Sequence, residues 1–99
     1  MPIYVVIRQA STDTNALRAA LQKAYPEDLY ALSDDAWLVS DSTTAVDVSN
    51  KIGITGPKTE GLSPAPLSAM VLETASYYGR ANPAIWSWIK AKWEGGPNG

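Results

Sequence analysis

The chain has 99 residues and a formal net charge of −2. It contains no cysteine and no histidine, which excludes disulfides, thiol chemistry, the commonest zinc ligands and every nucleophile that needs an imidazole base. The acidic balance, with a pI near 4.9, also speaks against general duplex binding, which wants clustered positive charge.

This length suits one domain, over residues 1–94, with 95–99 expected as a disordered Gly/Pro/Asn tail. No apolar run approaches the roughly 20 residues that span a bilayer. The start, Met1-Pro2-Ile3-Tyr4, lacks the basic region of a signal peptide. The expected location is therefore cytoplasmic, with no membrane partner.

Ile3–Arg8 reads as a strand, apolar on both alternating faces. Ser11 to Thr14 offers helix caps, and Leu17, Ala20, Leu21 and Ala24 recur at helical spacing until Pro26 stops the pattern. Leu29–Leu32 and Ala36–Ser40 flank the turn residues Ser33-Asp34-Asp35, predicting a β-hairpin. Thr44 and Asp47 have capping-box-like spacing ahead of a second helix, with Ala45, Val48 and Ile52 as its stripe. Gly53 stands where a left-handed helix end is wanted.

A Gly/Pro-rich loop is expected over residues 54–66, then a last strand around Ala69-Met70-Val71-Leu72. Asn82-Pro83 reads as a cap followed by proline in the first helical position, with a helix from Ala84 to Glu94. The predicted fold class is α+β: a ferredoxin-like βαββαβ antiparallel sheet plus a C-terminal helix. Three of the strands are apolar on both faces, which implies a sheet buried on both sides. Two crossover helices cover one face only. The second face then needs the C-terminal helix, a partner subunit, or both.

That helix carries Trp86, Trp88 and Trp93. Each ring can bury 150–250 Å², worth roughly 4–6 kcal/mol as an upper bound. Its simplest use is as a lid, with Trp86, Ile89 and Trp93 inward. The competing use is a single-strand nucleic-acid surface of Tyr77, Tyr78, Arg80, Trp88, Lys90 and Lys92. Net charge does not support it, and a local basic patch there would be small. Residues 1–79 carry five Lys/Arg against nine Asp/Glu, whereas 80–99 carry three against one.

Candidate chemistry is sparse. Asp34, Asp35 and Asp41 flank the third strand and could hold Mg²⁺ for phosphodiester cleavage. Hairpin and helix-start roles explain the same residues more simply. No other cofactor and no metal site is expected. Gly56 to Gly61 only superficially resembles a phosphate loop, because the Gly-Lys-Ser/Thr order is absent. Ser11, Ser40, Ser42 and Thr43 have no base except, conceivably, Lys23 or Lys51. Arg8 reads as a surface cation or the rim of an anion site.

Ile3–Arg8, Asn15–Tyr25, Ala36-Trp37-Leu38-Val39-Ser40, Met70-Val71-Leu72 and the stretch from Tyr78-Gly79 to Trp86, Trp88 and Ile89 together resemble SinR-like small proteins. These are relatives of the CRISPR-associated small endonuclease and of VapD-type endoribonucleases. The resemblance covers most of residues 2–94 and implies a ferredoxin-like homodimer. Active relatives carry an aspartate at the end of the first strand. Here Arg8-Gln9 stands in that place, so no catalytic residue carries over. The expected function is a small non-catalytic homodimeric interaction or structural module. The alternative is a metal-dependent nuclease or RNA-binding, toxin-like protein.

Overall fold

The consecutive apolar residues from Ile3 to Ile7, with Arg8, form β1, and it becomes the spine of the sheet. In the computed structural model, which describes residues 1–56 and 67–94, the remaining elements follow in order. They are α1 (Thr14–Ala24), β2 (Leu29–Ala31), β3 (Ala36–Ser40), α2 (Ala45–Ile52), β4 (Ala69–Glu73) and α3 (Pro83–Glu94). The expected tail at 95–99, and the expected loop over 57–66 with most of its phosphate-loop-like stretch, lie outside the described residues.

Local chemistry sets the helix ends. The Asp13 carboxylate accepts from the Ala16 amide at 3.0 Å, and Tyr25 closes α1 just before Pro26. The Thr44 hydroxyl accepts from the Asp47 amide at 3.2 Å. Gly53 ends α2 at φ 97°, where a side chain would be strained. Asn82 caps α3 by accepting from the Ala84 amide at 2.8 Å. The hairpin turn begins one residue earlier than its sequence suggests. The Leu32 and Ser33 amides both donate to the Ala36 carbonyl, so Leu32 leaves β2.

The sheet order is β2-β3-β1-β4, with every neighbouring pair antiparallel. β1 and β2 therefore run the same way with β3 between them, so α1 makes a split crossover. The arrangement is α+β and broadly ferredoxin-like, with the C-terminal helix added. Register separates the two faces, because directly paired residues point the same way. Val6 pairs with Trp37 and Val71, whereas Val5 pairs with Leu38 and Leu72.

The first face carries Tyr4, Val6, Trp37 and Val39 against Leu17 and Leu21 of α1 and Val48 and Ile52 of α2. The polar tip of Tyr4 is satisfied within this layer by donating to the Thr43 carbonyl, with Glu73 Oε1 at 3.2 Å. The second face carries Ile3 and Leu38, and α3 lies against them through Ile89. Ile85, Trp86, Trp88 and Trp93 pack around that contact, half-buried. The helix thus covers part of the second face, and Met70 and Leu72 stay exposed beside it. Among the described residues, no helix is long and apolar enough to cross a membrane.

Candidate functional site

The three aspartates do not meet. Asp35 sits in the β2–β3 turn, and its Oδ1 accepts from Arg8 Nε at 2.9 Å and Nη2 at 2.6 Å. Arg8 Nη1 donates onward to the Thr12 carbonyl at 2.6 Å. Arg8 thus ties the hairpin turn to the start of α1, a structural use that accounts for a cation at the end of β1. Asp34 faces solvent, with Arg18 at 3.3 Å. Asp41 lies past the other end of β3, roughly 20 Å along the strand from Asp35 at about 3.3 Å per residue. No group of three or more acidic residues among those described could hold a metal ion.

Asp41 is the most enclosed of the three, with its side chain 13% exposed. Its Oδ2 accepts from Tyr25 Oη at 2.7 Å and from Lys51 Nζ at 2.7 Å, and its Oδ1 accepts from the Ser42 amide at 2.7 Å. Burial pushes the Asp41 carboxyl up, but the bonds from Lys51 and Tyr25 outweigh it and hold the pKa below the usual value. The same contact, added to burial, raises the Tyr25 phenol well above its ordinary range. Asp41 thus clasps the end of α1 to α2.

The sign of its pH effect follows from that depressed value. The folded state prefers the carboxylate, so this stabilisation is present at neutral pH and disappears as pH falls below about 4. Asp41→Asn should cost about 1–3 kcal/mol at pH 7 and flatten the acid limb of the stability curve. Urea melts at pH 7 and pH 3 check both effects. A variant that loses as much at pH 3 as at pH 7 would remove the ionic explanation.

The serine–lysine idea finds no geometry here. Ser40 is 2% exposed and its Oγ has no hydrogen-bond partner among the described residues, while the Lys51 ammonium is held by Asp41. Asp13 is the cap of α1, and Thr12, also one of the residues offered as a helix cap, has a different use. It is buried, and its Oγ1 accepts from the Ser68 amide at 2.7 Å, anchoring the approach to β4.

The six aromatic and basic candidates separate onto two flanks of α3. Trp88 packs on Tyr30 with ring centroids 5.8 Å apart, and Lys92 lies over the Trp88 ring while pairing with Asp28 at 2.6 Å. Those two groups fasten the helix to β2. On the opposite flank Tyr77 stacks on Trp86 at 6.0 Å and meets Trp93 edge-on at 5.3 Å. Tyr78 and Arg80 stand exposed beyond it, and Lys90 is exposed on the helix.

Between α3, the 76–81 segment and the sheet lies a groove of about 420 Å³. It is lined by Ile3, Val5, Leu32 and Leu38 on the sheet side, by Ile85, Trp86 and Ile89 of α3, and by Tyr77, Tyr78 and Arg80. Residues 3, 5 and 38 read in the sequence only as strand core. The alternation of β1 and β3 marked them as facing the second side, but which part of that side α3 would leave open depends on the path of residues 74–82. Compared with protein-family models, with curated proteins and with solved structures, the chain matches none of them.

Proposed function

We propose that this protein is a small, cytoplasmic, SinR-like homodimeric interaction module without catalysis. The supporting observation is the part of the sheet's second face beside α3. Met70, Leu72 and Leu32 are 50%, 43% and 40% exposed there. Ile7 and Val5 are half-buried on the same face, paired directly with Met70 and Leu72. A column of neighbouring aliphatic side chains is what a partner surface presents. A second copy meeting it about a two-fold axis would bring the same column against itself.

The non-catalytic half of the reading is supported by how the acids are used. Asp35 and Asp34 are paired with Arg8 and Arg18, and Asp41 with Lys51 and Tyr25. On the resemblance to SinR-like proteins, Arg8-Gln9 stands where active members carry an aspartate, and Arg8 is used here as a tie.

Sedimentation at micromolar concentration should give a dimer. Leu72→Glu should weaken it more than about 30-fold, because a two-fold contact feels the substitution twice. Its far-UV circular dichroism should not change, since Leu72 is already exposed. A strict monomer for the parent protein would end the dimer reading. RNA incubated with and without Mg²⁺ should stay intact. Mg²⁺-dependent cleavage that disappears on replacing Asp34, Asp35 or Asp41 would establish the nuclease alternative instead.

A further inference from the structure

The groove beside α3 has the properties of a ligand site, although it shares Val5 and Leu32 with the apolar patch of the dimer reading. Its volume of about 420 Å³ lies within the range of roughly 300–1,000 Å³ usual for small-molecule sites. Its sheet side is aliphatic. Its aromatic side is built, because Tyr77 is wedged between Trp86 and Trp93. Tyr78, by contrast, is completely exposed, a placement that contributes nothing to the core.

Charge gives the second half of the argument. The chain carries no acidic residue between Glu73 and Glu94. Arg8 and Arg18 are both spent on aspartates. Arg80 lines the groove and has no ion pair or hydrogen bond among the described residues. Gly79, at φ 146°, lies between Tyr78 and Arg80, a backbone state that a side chain would strain. Tyr78 and Arg80, on either side of it, both line the groove.

We propose that this groove binds a small aromatic carboxylate, with its ring between Tyr78 and the aliphatic sheet side and its carboxylate on Arg80. The single cation lining the groove among the described residues matches a single negative charge, and a guanidinium is shaped for bidentate bonding to a planar carboxylate. The exposed tyrosine supplies a stacking face that an alkyl chain would use less well.

The probe is 2-naphthoate, with the neutral isostere 2-naphthamide alongside it, followed by tryptophan emission and by calorimetry on the full chain. Naphthoate should quench saturably with one site per chain and bind roughly tenfold or more tightly than the amide. Arg80→Gln should abolish that preference while leaving amide binding unchanged, and Tyr78→Ala should weaken both ligands. Both residues are exposed, so the variants retain the core, and an unchanged far-UV spectrum verifies this. Equal affinity for acid and amide, or an Arg80→Gln variant that still prefers the acid, would overturn the proposal. Sedimentation of the same samples separates the remaining case. Naphthoate that dissociates a dimer would assign the groove to a second copy and likewise overturn the ligand reading. The Leu72→Glu variant should bind naphthoate as the parent does, so failure of the dimer leaves the ligand test intact.

Discussion

Trp37→Ala should cost about 3–5 kcal/mol of unfolding free energy, the largest loss expected from any single truncation in this chain. Trp37 is 1% exposed at the middle of β3. It pairs with Val6 of β1 on one side and Ala31 of β2 on the other. Its ring is the largest side chain in the layer between the sheet and helices α1 and α2. Removing it leaves a void that Leu17, Leu21 and Val48 cannot fill without moving, and close-packed interiors relax only in part. A domain of this size holds about 5–15 kcal/mol in total, so the loss takes a large share. The melting temperature should fall by at least about 12 °C, at roughly 4–8 °C per kcal/mol for a chain this short. Thermal and urea melts followed at far-UV wavelengths measure it. A drop smaller than that expected for a surface substitution, about 0.5 kcal/mol, would mean that the ring does not fill this layer.

Much of that architecture is legible in the residues. Helix caps at Asp13, Thr44 and Asn82, and the left-handed stop at Gly53, are local chemistry and act where they stand. The two-period of Ile3–Arg8 and the 3.6-period of Leu17, Leu21, Val48 and Ile52 assign each residue a face before any tertiary contact exists. Because three strands are apolar on both sides, the need for a second covering layer is also legible, and α3 meets part of that need.

The candidate site is legible only in part, because it depends on how chain segments meet. Asp35 and Asp41 are six positions apart in sequence, close enough to suggest a cluster. An intervening extended strand carries them to opposite ends of the sheet. Tyr77 and Trp86 are nine positions apart across a turn, and they stack. No periodic pattern encodes that contact, since it is set by the turn at Gly79 and the Asn82 cap. Trp88 and Lys92 fall one helical turn apart, and either of two faces would suit them. The choice is made by Tyr30 and Asp28 on a different element.

Two layers on one sheet raise the question of whether they unfold together, and the tryptophans make the answer measurable. Ile89→Asp should detach α3 while the first layer stays folded. Ile89 is 7% exposed and packs on Ile3 and Leu38. An aspartate there is a buried charge with no partner, a penalty of about 3–5 kcal/mol. Releasing the helix avoids it. What then opposes release is the burial of the half-buried rings of α3, offset by the backbone entropy the freed helix regains at about 1–2 kcal/mol per residue, with the Lys92–Asp28 pair at 2.6 Å and a bond from the Met1 ammonium to the Trp93 carbonyl at 3.1 Å. Partly exposed ion pairs contribute little, and α3 leans chiefly on β1. Among the described residues, the layer beneath α1 and α2 shares no buried side chain with it. Trp86, Trp88 and Trp93 lie on the helix and Trp37 lies in the other layer, so emission distinguishes the two outcomes. In Ile89→Asp the bulk of the fluorescence should shift to the red and become accessible to iodide. A blue, protected fraction from Trp37 should persist, and the α1 and α2 amides should keep their slow hydrogen exchange. If Trp37 loses protection together with the three helix tryptophans, the two layers form one cooperative unit and α3 is required for the fold.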